Sequence, residues 1–87
     1  MSAPETPAQA LTRAVTRMRA DAERCGDEPG SFIPALADWL EAEARRAREI
    51  DGYEDSSVYP LMLAGYRLPL AVARGYLGEA EAEGAQR

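Results

Sequence analysis

The segment Ser31–Gly52, SFIPALADWLEAEARRAREIDG, constrains the fold more than any other part of this chain. Wound at about 100° per residue, it gathers Phe32, Ile33, Leu36, Ala37, Leu40, Ala44, Ala47 and Ile50 on one side. Asp38, Glu41, Arg45 and Glu49 fall opposite. The pattern predicts an amphipathic helix near residues 32–51, with one face that must be covered. Ser31 is placed to act as N-cap, and Pro34 falls within the first turn, where backbone N–H groups lack helical partners. Gly52 is placed for a left-handed stop. Glu43 is the misfit, because it projects between the angles of Phe32 and Leu36 in the middle of the apolar arc. A lone buried carboxylate is costly, so Glu43 is expected to find an Arg, such as Arg67 or Arg74 of the last helix, or to lie at an interface.

A helix needs neighbours, and the flanking sequence supplies two. Thr6-Pro7-Ala8-Gln9 reads as a capping box with Pro at the first helical position. The helix it opens should run to about Cys25, with Gly26 ending it, and carry a narrow seam of Ala8, Leu11, Val15, Met18, Ala22 and Cys25. Asp27–Gly30 (DEPG) then makes a link short enough to set successive helices antiparallel. After Gly52 and the polar loop YEDSS comes VYPLMLAGYRLPLAVARGYLG, near residues 57–78, apolar almost all round and charged only at Arg67 and Arg74. Such a helix is expected to sit centrally, covered on several sides, with a kink or division at Pro69. A strand at 58–63 is the alternative, disfavoured by the continuing three-four spacing. The predicted architecture is all-α, a three-helix bundle-like domain over residues 7–78. Residues 1–6 are expected to form a flexible arm and residues 79–87 a flexible acidic tail.

Composition sets limits on what such a domain does. An 87-residue domain buries only about 60% of its unfolded surface, so association with another chain is a natural source of stability. There is no His, and Cys25 is the one cysteine; the commonest general base, zinc site and internal disulfide are therefore excluded. Asp51, Glu54 and Asp55 surround Gly52 without the ligand spacing of a calcium loop. No cofactor and no metal is expected. Glu43 beside Trp39 has the pairing of an acid with an apolar wall that raises a carboxyl pKa for proton transfer, but a flanking Glu that snorkels or pairs with an Arg is the favoured reading, and the chain reads as non-catalytic. The lone thiol and the absence of an 18-residue apolar run point to a cytoplasmic, non-membrane protein.

Two surface features are candidate contact sites. Arg13, Arg17 and Arg24 lie within about 40° of one another, opposite the seam of the first helix, as a basic stripe suited to phosphates or an acidic partner. That helix carries four Arg against two acids, a charge of +2, while the whole chain carries −5 and the remainder therefore −7. An acidic remainder opposes a duplex, so a DNA-associated regulator is the second reading and nucleic acid is not the expected partner. Trp39, Tyr53 and Tyr59 are the aromatic candidates, with Tyr53 and Tyr59 flanking the polar loop where their rings suit a protein interface.

Two fragments, ALADWLEAEA at 35–44 and LPLAVARGYLGEA at 68–80, resemble a loose set of small actinobacterial and actinophage proteins. In that set an ADWL helix is followed by a closing helix reading like ALAVARAYLG, after a first helix similar to LTRAVTRMRADAE at 11–23. The resemblance implies a phage or prophage-type context and supplies no catalytic residue. Many members have a longer middle containing His or Cys, which this chain lacks, so no metal role is carried over. The resulting expectation is a small interaction protein that binds another protein or itself, with a homodimer favoured. The seam, the misfit Glu43 and the apolar last segment are the grounds for that dimer.

Overall fold

A computed structural model of the chain describes residues 5–25 and 32–79. The fold is all-α: helices α1 (Pro7–Cys25), α2 (Ile33–Ala47), α3 (Tyr59–Ala64) and α4 (Arg67–Tyr76) follow one another, with a 3-10 turn, Arg48–Ile50, extending α2. Among the described residues there is no strand. No helix among them is long and apolar enough to cross a membrane.

The capping box opens α1. The Gln9 backbone N–H donates to Thr6 Oγ1 at 3.2 Å, and the Thr6 N–H donates to Gln9 Oε1 at 2.9 Å, so two backbone donors that the first turn cannot use are satisfied reciprocally. At the start of α2 the N-cap position is held by Phe32, with Pro34 in the first turn. Ser31, Gly26 and the DEPG link lie outside the described residues, as does the side chain of Cys25. Gly52 closes the second helical segment at φ +95°, the left-handed conformation that a residue with a Cβ adopts at a cost.

α1 and α2 run antiparallel. Thr12 and Val15 lie beside Ala44 and Arg48, whereas Ala22 and Glu23 lie beside Pro34. α4 covers the other flank of α1. This makes α1 the central helix and corrects the expectation that the apolar last segment would sit centrally. The physical reason is in α1's alanines: Ala10 and Ala14 are 1% and 0% exposed and join Ala8, Leu11, Val15 and Met18 in the core. They widen the buried arc from about 100° to about 160° and let a second helix approach closely. Among the described residues, half of the fourteen buried hydrophobic ones are alanines, including Ala37, Ala44 and Ala47 of α2 and Ala73 of α4.

On α2 the predicted face holds for Ala37, Leu40, Ala44, Ala47 and Ile50, with Ile33 and Leu36 partly buried against it. Phe32 departs from it and is 83% exposed. It precedes the first helical residue, and Pro34 already lies beside Ala22 and Glu23 in the last turns of α1, so little of α1 remains for Phe32 to pack on.

The last segment is divided, with the break four residues ahead of Pro69, at Gly65 and Tyr66. A proline in a helix removes the donor to, and clashes with, the carbonyl four residues earlier, which here is Gly65. The chain therefore ends α3 at Ala64 with tight bonds, Gly65 N–H to Met62 O and Tyr66 N–H to Leu63 O. It restarts at Arg67, placing Pro69 in a first turn that needs no donor from it. α4 buries Pro69, Leu70 and Ala73, whereas α3 is a single short helix with no fully buried residue and touches the 3-10 turn.

Candidate functional site

The three arginines of the basic stripe are all engaged by carboxylates. Arg13 forks between two acids, its Nε 2.7 Å from Glu5 Oε2 and its Nη2 3.0 Å from Glu79 Oε1. Its hydrogen bonds hold both carboxyls below their ordinary range, and the two acids in turn raise the guanidinium. Arg17 and Arg24 both pair with Asp21, the former at 3.5 Å. Asp21 also accepts a hydrogen bond from the Tyr76 hydroxyl of α4, the largest cause of its lowered pKa, ahead of the charges of Arg24 and Arg17. Burial and the same bond push the Tyr76 hydroxyl up. The stripe thus fastens Glu5 and Glu79 to α1, and Asp21, which Arg17 and Arg24 hold, is joined to Tyr76 of α4. It presents charge that is already compensated, unlike the free guanidinium row that phosphate binding uses.

Glu43 finds its Arg within its own helix. Arg46 Nη1 donates to Glu43 Oε2 at 3.0 Å, with the Glu43 side chain 13% exposed and that of Arg46 68% exposed. The expected partners Arg67 and Arg74 are not used. Trp39, one turn before Glu43, is 37% exposed. Tyr53 is half exposed in the loop, its N–H bonded to Ile50 O. Tyr59 is partly buried against the core, and its hydroxyl is pushed up first by burial and then by Glu54 and Asp51.

A feature that sequence reading did not single out lies between α3 and α4. Pro60, Leu63, Ala64, Leu70 and Ala71 line an open groove of about 560 Å³, with Arg67 and Arg74 beside them. Arg67, Leu70, Ala71 and Arg74 follow the three-four-seven spacing that places them on one face of α4. Neither arginine has a carboxylate within ion-pairing distance among the described residues, whereas Arg13, Arg17, Arg19, Arg24, Arg45 and Arg46 all do. Leu61 and Leu68 stand 77% and 66% exposed on the same two helices, and Val58, just before α3, is 48% exposed. The groove exists because Pro69 divides the segment: a continuous helix would present one convex surface, whereas two short helices meeting at Gly65 enclose a hollow.

Ala8 contributes to a second concave region. With it, Gln9, Thr12, Arg13, Arg48 and Asp51 line a cleft at the start of α1, in which Asp51 Oδ1 is buried without a hydrogen-bond partner. No group of acids and Cys able to hold a metal ion occurs among the described residues. Comparison with protein-family models, curated proteins and solved structures gives no match to this chain.

Proposed function

We propose that this chain is a small non-catalytic interaction module that works by binding another protein or a second copy of itself. The observation that carries the reading is the α3–α4 surface, where the two helices that line an apolar groove also leave Leu61 and Leu68 exposed, in a domain too small to leave such area uncovered without cost. Of the grounds for a symmetric dimer, two are met within a single chain: the α1 seam is covered by α2, and Glu43 is paired by Arg46. The apolar last segment remains, and it leads to the same surface. The compensated arginine stripe weighs against the DNA-associated reading. A cytoplasmic, phage or prophage-type setting rests on the lone cysteine and on the resemblance, and is proposed with them.

The test is to replace Leu61 and Leu68 with Glu, singly and together. Light scattering over a wide concentration range reads self-association, and capture with wild-type and variant protein as paired baits reads foreign partners. The reading requires that a self-associated mass, or a partner retained by the wild type, be lost with the Leu68→Glu variant while the melting temperature is kept. A strictly monomeric protein with no captured partner sensitive to either substitution would refute it.

A further inference from the structure

We infer that the α3–α4 groove receives a short acidic amphipathic segment of another protein, whose apolar side chains fill the hollow while two carboxylates reach Arg67 and Arg74. This rests on the interaction reading above and names the chemistry of the partner. Charge complementarity selects this occupant. The chain carries 15 acids against 10 arginines, and six of the nine described arginines are paired. Two of the three that are not, Arg67 and Arg74, stand at one groove. A surplus of acid elsewhere makes these two unpaired cations the exception, and they border apolar walls on which a desolvated ion pair gains strength.

Geometry narrows the occupant further. Arg67 and Arg74 are seven residues apart on α4, about two helical turns or about 10 Å. A partner helix matches that interval when its acids are themselves seven positions apart, with leucine-like residues at the intervening three and four positions, as in helix-in-groove recognition. Arginine suits this use because its fork binds carboxylates bidentately. Arg74 also feels the charges of Glu5 and Glu79, but both acids are already clamped by Arg13. The net charge of −5 does not forbid an acidic ligand, because at physiological salt charges beyond about 8 Å are largely screened.

The probe is a synthetic, end-blocked, alanine-based helical peptide with two glutamates seven positions apart and leucines three and four positions after the first. Its counterpart has lysines in place of the glutamates. Binding to the full chain is read by fluorescence anisotropy. The expected result is saturable binding of the acidic peptide, weakened about tenfold or more in the Arg67→Glu/Arg74→Glu double variant and by added salt, and preserved in Arg48→Ala. The double variant should bind the lysine peptide instead. Arg67→Gln/Arg74→Gln, checked for an unchanged melt, serves if the reversal perturbs folding. Equal binding of both peptides to the wild type overturns the electrostatic assignment. A dimer that Arg67→Glu/Arg74→Glu dissolves gives the groove to a second copy and also overturns it. If neither peptide binds but Leu68→Glu still abolishes association or capture, this inference fails and the interaction reading stands. If Leu68→Glu changes nothing either, both fail together.

Discussion

Leu40→Ala is the sharpest test of the packing. Leu40 is fully excluded from solvent in the middle of α2, within a cluster that is half alanine. Removing three buried carbons forfeits about 2.4 kcal/mol of transfer free energy at about 0.8 kcal/mol for each. The cavity left behind adds to this, and alanines have no side chain that can swing into it. The expected cost is therefore about 3 to 4 kcal/mol, within the range of about 2 to 5 measured for such truncations. For 87 residues the whole stability is about 4 to 13 kcal/mol, so the variant loses a large share of it. Urea unfolding followed by far-UV circular dichroism should show a lower midpoint at similar slope, and the melting temperature should fall by about 12 to 30 °C. Leu61→Ala, at a residue 77% exposed, is the matched control and should change stability by no more than about 0.5 kcal/mol. A drop of less than about 5 °C for Leu40→Ala, or equal losses for the two variants, would refute the account of the core.

Thr6→Ala removes the acceptor for the Gln9 N–H and should destabilise by about 1 kcal/mol, read from the same urea curves. Gly52→Ala meets no atom within 4 Å, so its expected cost of about 1 to 2 kcal/mol is entirely that of holding a Cβ residue at positive φ; no loss would show that the turn relaxes elsewhere. Glu5, Glu79 and Asp21 have folded pKa values below their ordinary ones, so the stability they contribute is complete above about pH 4 to 5 and is lost as pH falls through the lower folded values. A melting temperature that declines in acid, and declines less in Arg13→Gln, is the expected profile; a variant profile parallel to wild type would count against the clamp. Mobility-shift assays at about 50 mM salt should show no binding to duplex or single strands, and binding lost on replacing Arg13, Arg17 and Arg24 with Ala would reinstate the nucleic-acid reading.

What could be read from the sequence was local. The Thr6–Gln9 box spans three residues and depends only on the turn it caps, so its chemistry is legible without the rest of the fold. The core face of α2 is likewise a matter of period. Ala10 and Ala14 were not legible, because alanine suits an exposed helix position as well as a buried one and only the arrival of α4 decides between them. The effect of Pro69 was legible in kind but displaced by one turn, since the ring acts on the carbonyl four residues back. The Arg13–Glu79 bond joins positions 66 residues apart and follows from tertiary placement alone. The α3–α4 groove was hidden for the same reason: Arg67 and Arg74 could be seen to share a face, but their lack of acidic neighbours depends on where every other carboxylate in the fold has gone.

One guanidinium holds both margins of the described domain, since Glu5 and Glu79 meet on Arg13. Entry and exit of the domain are therefore neighbours in space. A host protein could accept residues 5–79 within a surface loop without spreading that loop's own ends, because the guest would add a protrusion rather than a spacer. Conversely, joining 79 to 5 by a few glycines and opening the chain in the turn at Glu54 and Asp55 would relocate the termini with little closure entropy to overcome. In such a permutant the α3–α4 hollow would come early in the chain and the α1–α2 pair would follow it.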